Sequence, residues 1–134
     1  MASILKVDTI TGVTTAGSIA ITGEGNSTTT NLQQGLCKVW YEMGSDFALD
    51  DSLNMASVTD DGTGIITYAY TNSMANASYA PTAGPTGGAR NTTFIVVETT
   101  TLSTSGAEAS IGTVGGSNAL SDSAHAMSLH GDLA

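Results

Sequence analysis

A chain of 134 residues is long enough for one domain with one hydrophobic core. Charged residues make up only 11% of it, while threonine, serine and glycine are abundant, which excludes a soluble helical protein that would cover its exposed faces with Glu, Lys and Arg. The net charge of −9 repels phosphate and therefore argues against binding to nucleic acid or to anionic membrane surfaces.

The first 35 residues, called the N-terminal arm (residues 1–35), hold little that could form a core of their own. Residues 4–10 begin with apolar side chains and then alternate between apolar and polar ones, which predicts a short strand. Residues 18–22 predict a second short strand, and the Gly, Asn, Ser and Thr residues within 24–30 predict a linker. Two strands of this length are marginally stable in water, so we expect the arm to need a partner surface.

Alternating apolar residues recur at short intervals from residue 36 onward, which predicts a series of strands and no helix. The turn signal at residues 60–64 joins two of these strands into a hairpin, and in the first of them Leu53 and Met55 are expected to face inward. Residues 81–91 carry two prolines and several glycines and predict a long loop. The predicted strands span residues 36–43, 52–58, 65–71, 74–79, 92–102, 109–114 and 123–129.

The spacing of these strands predicts an all-β fold, in which the arm precedes an antiparallel, jelly-roll-like β-sandwich at residues 36–134. With two Phe, one Trp and four Tyr, the core of that sandwich is thin, and the strand at 94–101 offers an edge for pairing with another chain. We therefore expect an obligate homotrimer; the alternative is a small but adequate core of Ala, Val and Ile. The residues predicted to lie in the core or at the trimer interface are Val39, Tyr41, Tyr68, Tyr70, Phe94, Ile95 and Val97.

Residue types that perform catalysis or bind metals are few and poorly placed for either role. His125 and His130 are five positions apart in the last strand, so they fall on opposite faces, and His125 is expected to be partly exposed. Cys37 is the only cysteine, which excludes an intrachain disulfide and a multi-cysteine zinc site. The acidic pair before Gly62 is typical of a hairpin turn, because the alternating acids of a calcium loop are missing. The sequence predicts no enzyme, no cofactor and no metal.

Several segments of the chain resemble one group of viral proteins. Residues 2–36, ASILKVDTITGVTTAGSIAITGEGNSTTTNLQQGL, resemble the N-terminus of small structural or fibre-like proteins of marine tailed phages, most recognisably at KVDTI in residues 6–10. Residues 52–70, SLNMASVTDDGTGIITYAY, and 131–134, GDLA, are similar to the same group. The resemblance implies that the arm attaches to the virion and trimerises while the β domain projects. The docking or intersubunit residues that it implies are Leu5, Val7, Asp8, Ile10, Ile19 and Ile21.

The leading hypothesis is a non-enzymatic virion protein, a small fibre or head-decoration subunit that assembles with itself and with other phage capsid or tail proteins. The alternative is a receptor- or glycan-binding tail-fibre module, whose partner is a host surface receptor and whose exposed binding loop would include Phe47 and Arg90. A hydrolase would need a nucleophile or a carboxylate pair that the sequence does not show. The first residues lack the basic region and long apolar run of a signal peptide, which predicts a protein that is made and kept in the cytosol. The resemblance to phage proteins implies that this is the host cytoplasm and that the final place of the protein is the virion.

Overall fold

The computed structural model describes residues 4–12, 19–22, 29–86, 93–97, 101–113 and 119–133, and of residues 33, 34, 93–97 and 113 the backbone alone. Within these ranges the chain is all-β, and every strand pairing is antiparallel. The elements in chain order are Ala20–Thr22 (β1), Thr29–Asn31 (β2), Leu32–Gly35 (α1), Cys37–Met43 (β3), Leu49–Leu53 (β4), Met55–Gly62 (β5), Ile65–Tyr70 (β6), Ala80–Pro85 (β7), Thr93–Val97 (β8), Gly106–Thr113 (β9) and His125–His130 (β10).

The described strands form two four-stranded sheets and one small hairpin. The first sheet has the order β4-β3-β10-β7 and the second the order β5-β6-β9-β8, while β1 pairs with β2 in the arm. The chain passes from the first sheet to the second between β4 and β5, and again between β7 and β8. The edge strands β7 and β8 contact each other. The prediction of an all-β chain with antiparallel sheets is confirmed.

Local sequence decides which side chains enter the core and where the chain turns. On β3, Val39, Tyr41 and Met43 are buried, as a period of two along a strand requires. The hairpin expected at residues 60–64 joins β5 to β6. Its bend uses Gly64 at a φ of 68°, a left-handed conformation that glycine adopts without steric cost.

The single strand predicted at residues 52–58 is wrong, because the chain changes sheets in its middle. β4 ends at Leu53 and β5 begins at Met55, with Asn54 between them in the left-handed conformation at a φ of 62°. Asparagine tolerates this conformation better than most residues, and its side-chain oxygen accepts a 2.7 Å hydrogen bond from the backbone N–H of Asn72. Leu53, expected to face inward, is 46% exposed, whereas Met55 packs against the core.

The long loop predicted at residues 81–91 is in part a strand. β7 pairs with β10 along its whole length, and residues 87–91 lie outside the described residues. Proline cannot donate to a strand ladder, so it is excluded from central strands but tolerated at a sheet edge. Because β7 is the edge of the first sheet, its two prolines are compatible with a strand.

Two other predicted strands are not formed. Residues 4–12 form no strand, and none of the described strands pairs with them. Residues 74–79 form only one isolated bridge, between Met74 and Leu133. In the arm, α1 adds a single helical turn that the sequence did not predict.

One hydrophobic core is shared by the two sheets. The rings of Tyr41 on β3 and Tyr68 on β6 lie 5.9 Å apart between centroids, so the first sheet packs against the second here. β8 pairs with β9, but the side chains of Phe94, Ile95 and Val97 lie outside the described residues. The buried apolar side chains of the core are Val39, Tyr41, Met43, Phe47, Ile66, Tyr68, Tyr70, Met74, Tyr79, Ala107, Ala109, Ile111, Met127 and Leu129.

Candidate functional site

The first described segment of the N-terminal arm exposes its large apolar side chains. The exposed fraction is 77% for Ile4, 79% for Leu5, 52% for Val7 and 57% for Ile10, and Asp8 is exposed among them. Apolar surface left in water costs about 25 cal/mol per Å², and contiguous exposed apolar residues mark interaction sites. Four of the residues expected to dock therefore lie together in one unpaired segment.

The rest of the described arm is a hairpin tied to the helical turn α1. Ile21 of β1 pairs with Thr30 of β2, and the backbone N–H of Leu32 donates a 2.8 Å hydrogen bond to the carbonyl oxygen of Ile19. Ile19 is half-buried, whereas Ile21 is 52% exposed. Ile21 therefore adds to the apolar surface that the arm leaves open, and Ile19 is partly covered.

A buried histidine forms the centre of a polar cluster inside the core. The expected partial exposure of His125 is wrong, because the residue is fully buried and both of its ring nitrogens have hydrogen-bond partners. The Nδ1 atom lies 2.8 Å from the carbonyl oxygen of Ser123, which only accepts, so Nδ1 holds the proton. The Nε2 atom then accepts a 3.2 Å hydrogen bond from the Tyr41 hydroxyl. His130, at the other end of β10, is exposed.

Acid is expected to destabilise the fold through His125. Burial lowers the pKa of its imidazole below the usual 6.5, and the hydrogen bond to Ser123 opposes this in part. The unfolded chain therefore takes up the proton at higher pH than the folded chain does, and stability falls as the pH drops below about 6.5, by at most about 1.4 kcal/mol per pH unit. Urea denaturation between about pH 7.5 and pH 5.5 measures this slope.

Two histidine variants decide whether His125 causes that slope. In His125→Gln the slope over this pH range should disappear, although the variant itself is less stable. In His130→Gln, which changes an exposed histidine of the same strand, the wild-type slope should remain. The same slope in the wild type and in His125→Gln would refute the role of His125.

The buried hydroxyl groups of Tyr70 and Tyr79 also have hydrogen-bond partners. The Tyr70 hydroxyl donates to the Tyr79 hydroxyl at 3.0 Å, and the Tyr79 hydroxyl lies 3.1 Å from the carbonyl oxygen of Ser103 and 3.2 Å from that of Gly106. Burial raises the pKa of Tyr70 and of Tyr79, so both groups stay protonated donors. This cluster fixes the turn before β9 to the core.

The expectation that Phe47 belongs to an exposed binding loop is wrong. Phe47 is 7% exposed, and its ring meets the ring of His125 edge-on with centroids 6.2 Å apart. A left-handed φ of 57° directs it inward, in a turn where its backbone N–H donates to the carbonyl oxygen of Gly44 at 3.2 Å. Phe47 is therefore a core side chain, and Arg90, the other expected member of the loop, lies outside the described residues.

An open groove of about 430 Å³ crosses the outward face of the first sheet. Trp40 and Glu42 of β3 line one side of it. Its lining residues belong to three strands that are distant in the chain and adjacent only in the sheet, so alternation along single strands could not reveal it. The floor consists of small residues of β7 and β10, namely Thr82, Gly84, Ala126 and Ser128.

Metal and membrane sites were not expected from the sequence. Among the described residues, no three His, Cys, Asp or Glu side chains come close enough together to hold a metal ion. No helix in these ranges has the length and apolar character to cross a membrane. Cys37, the single cysteine, is half-buried on β3, with its Sγ 3.0 Å from the carbonyl oxygen of Val39.

Comparison with known proteins gives no relative for this chain. No protein-family model matches it, and neither a curated protein nor a solved structure does. Its exposed arm and the groove on the first sheet are therefore the surfaces from which a function can be inferred.

Proposed function

We propose that the chain is a non-enzymatic structural protein of a tailed-phage virion, a small trimeric fibre or head-decoration subunit. The N-terminal arm anchors the subunit to the particle and to neighbouring copies, and residues 36–134 project from it as a β-sandwich. The main observation in support is a contrast in exposure. Ile4 and Leu5 of the arm are 77% and 79% exposed, whereas every described buried side chain lies at or beyond residue 38.

The energetics of the arm favour an assembly role. Ordering a backbone costs roughly 1–2 kcal/mol per residue, and the arm does not offset this cost within its own chain, since Val7, Ile10 and Ile21 remain more than half exposed. A neighbouring subunit can supply the missing surface, because an extended segment adds to a sheet edge and buries alternate side chains. About ten extended residues span roughly 33 Å, which is enough to reach a neighbour.

The arrangement of the two sheets fits a β-sandwich that projects from the particle and does not aggregate through its edge strands. They share one core, with Tyr41 of the first sheet packed on Tyr68 of the second. The edge strands β4 and β5 each carry two adjacent aspartates, and the edge strand β7 carries two prolines. Charges and prolines discourage uncontrolled pairing at these three edges, and the fourth edge strand, β8, contacts β7, so the arm is the favoured route of association. The trimeric state follows from the resemblance of residues 2–36 to phage attachment segments.

Deleting residues 2–31 is expected to convert a trimer into a folded monomer. Light scattering should give the full-length protein a mass of about three times 13.5 kDa and the shortened protein the mass of a single chain. Both proteins should unfold cooperatively with similar melting temperatures, because the described core lies outside the deleted segment. A folded full-length protein that scatters as a 13.5 kDa monomer at micromolar concentration would refute the proposal.

A pair of point variants tests whether the apolar side chains of the arm are needed for assembly, without shortening the chain as the deletion does. Val7→Asp places a charge on an apolar arm residue and should weaken assembly. Thr11→Asp adds the same charge at an exposed polar position of the arm and should leave the mass unchanged. Equal assembly of both variants would show that the apolar side chain of Val7 does not contribute.

A further inference from the structure

Gly84 lies inside a strand although nothing in the described part of the chain requires a glycine there. Its φ is outside the left-handed region, and a Cβ atom built on it would meet no atom of the described residues within 4 Å. Gly64 and Gly106 differ, since a Cβ there would lie 2.2 Å from the backbone oxygens of Ile111 and Tyr68, respectively. Glycine weakens a strand, and a strand glycine often marks a site where a ligand or another backbone approaches closely.

The strand register of the first sheet builds the groove above Gly84. Side chains fall from large ones on β3 to small ones on β10 and β7 along two neighbouring rows. The side chains of β3 therefore form a wall, those of β10 and β7 form a floor, and the groove opens at the β7 edge of the sheet. The rows, from β3 through β10 to β7, are Trp40, Ser128 and Thr82, and then Glu42, Ala126 and Gly84.

We infer that this groove receives the N-terminal arm of a second copy of the chain, an inference that rests on the arm-mediated assembly proposed above. Residues 4–10 of the arm are exposed and unpaired, and a floor of small residues lets an extended backbone lie close to the sheet. Seven extended residues span about 23 Å, whereas three strands cover only about 10 Å between the outer two axes. The segment can therefore cross the groove and continue beyond the sheet edge.

The apolar side chains of the arm match the apolar surface beside the groove. Leu5 and Val7 are 79% and 52% exposed in the arm. On the receiving face, Leu53 of β4 lies next to Trp40 and is 46% exposed, while Ala126 forms part of the floor. Packing the arm onto this face removes apolar surface from water on both copies.

Charge complementarity also favours the arm as the occupant. Glu42 lies directly opposite Asp51 on the neighbouring strand β4, and like charges placed opposite each other destabilise a sheet. The whole chain has only three basic residues, Lys6, Lys38 and Arg90, and Lys6 is exposed in the middle of the arm segment. An ammonium group beside the two carboxylates relieves their repulsion and adds charge-assisted hydrogen bonds.

Filling the groove tests the assignment. Gly84→Trp should block the groove without disturbing the fold, because no atom of the described residues lies within 4 Å of a Cβ atom built on Gly84. Thr67→Trp places the same ring on an exposed position of the second sheet and is the matched control. In analytical ultracentrifugation of the full chain, we expect Gly84→Trp to raise the dissociation constant of the assembly roughly tenfold or more, and Thr67→Trp to leave it unchanged. Gly84→Leu replaces the tryptophan variant if melting shows that the latter is unfolded.

A charge exchange tests the pairing of Lys6 with the acidic wall. Lys6→Glu and Glu42→Lys should each weaken assembly roughly tenfold, and the double variant, which restores opposite charges, should recover most of the loss. Additive losses in the double variant would overturn the pairing.

The outcomes distinguish this inference from the proposed function. If deletion of residues 2–31 dissociates the assembly but Gly84→Trp does not, the arm binds elsewhere and the groove assignment fails alone. If the deletion has no effect on mass, the proposed function fails as well. Binding of a saccharide on a glycan array by the wild type but not by Gly84→Trp, with assembly unchanged in that variant, would identify a sugar site and overturn the inference. Two results together would establish the inference. Assembly should be lost in Gly84→Trp and retained in Thr67→Trp, and the double variant Lys6→Glu with Glu42→Lys should recover the assembly that each single charge variant loses.

Discussion

Replacing Tyr41 with alanine should lower the free energy of unfolding by about 4–6 kcal/mol. The ring is 1% exposed and packs between Tyr68 and His125, with centroid distances of 5.9 Å and 5.5 Å, so its loss leaves a cavity between the sheets. The variant also removes the hydroxyl that donates to His125, which leaves a buried acceptor without a partner. Small domains are stable by only about 5–15 kcal/mol in total, so this loss is a large part of the stability of the fold. Urea denaturation of the variant and the wild type at room temperature measures it.

Two further variants divide this loss of stability. One separates the contribution of the Tyr41 ring from that of its hydroxyl, and the other compares the two faces of β3. Tyr41→Phe keeps the ring and should cost only about 1–3 kcal/mol, from the unpaired nitrogen of His125. Trp40→Ala changes the neighbouring residue, which is half-buried beside the groove, and should cost less than Tyr41→Ala. Equal losses for Trp40→Ala and Tyr41→Ala would contradict the assignment of faces on β3.

Gly106→Ala should lower the free energy of unfolding by about 3 kcal/mol or more. The added Cβ would lie 2.2 Å from the backbone oxygen of Tyr68. Gly106 and Tyr68 belong to the paired strands β9 and β6, so neither backbone can move away without breaking the ladder. Urea unfolding measures the loss.

Gly84→Ala is the matched control, since it adds the same methyl group to another strand glycine. No atom of the described residues lies within 4 Å of the added Cβ, so stability should be unchanged or raised by about 0.5–1 kcal/mol, because alanine loses less conformational entropy than glycine on folding. A large loss of stability in Gly84→Ala would mean that the fold itself needs this glycine, and would remove the basis for a docking groove there.

Short-range chemistry made several elements predictable from the sequence. The glycines and aspartates of residues 60–64 indicate a tight turn wherever they lie between two strands, and the structure has the β5–β6 hairpin there. The alternation that ends at Met43 indicates which side of β3 is buried, since side chains on a strand alternate between two faces.

Features that depend on distant partners could not be predicted in the same way. Asn54 lies within an alternating run, and only the sheet order shows that the chain changes sheets at this residue. The burial of His125 depends on Tyr41, 84 positions away in the chain, which provides the hydrogen bond to Nε2. The prolines of β7 are tolerated because β10 pairs with only one side of that strand.

The groove shows the same dependence on sheet order. Trp40 has ordinary strand neighbours in the sequence, and the small residues Gly84 and Ala126 become its floor only when β10 is placed between β3 and β7. The arm is the opposite case. Composition alone indicated that residues 4–10 lack a core of their own, and their described side chains are exposed.

The most direct test of the central claim is the amount of this protein on particles made with and without its N-terminal arm. Phage carrying a deletion of residues 2–31 should produce a folded, soluble chain in the infected cell, and purified particles should lack it when analysed by quantitative mass spectrometry. Particles carrying Thr11→Asp should contain the wild-type amount. Wild-type amounts of the shortened chain on purified particles would contradict the anchoring role of the arm and would place attachment on residues 36–134.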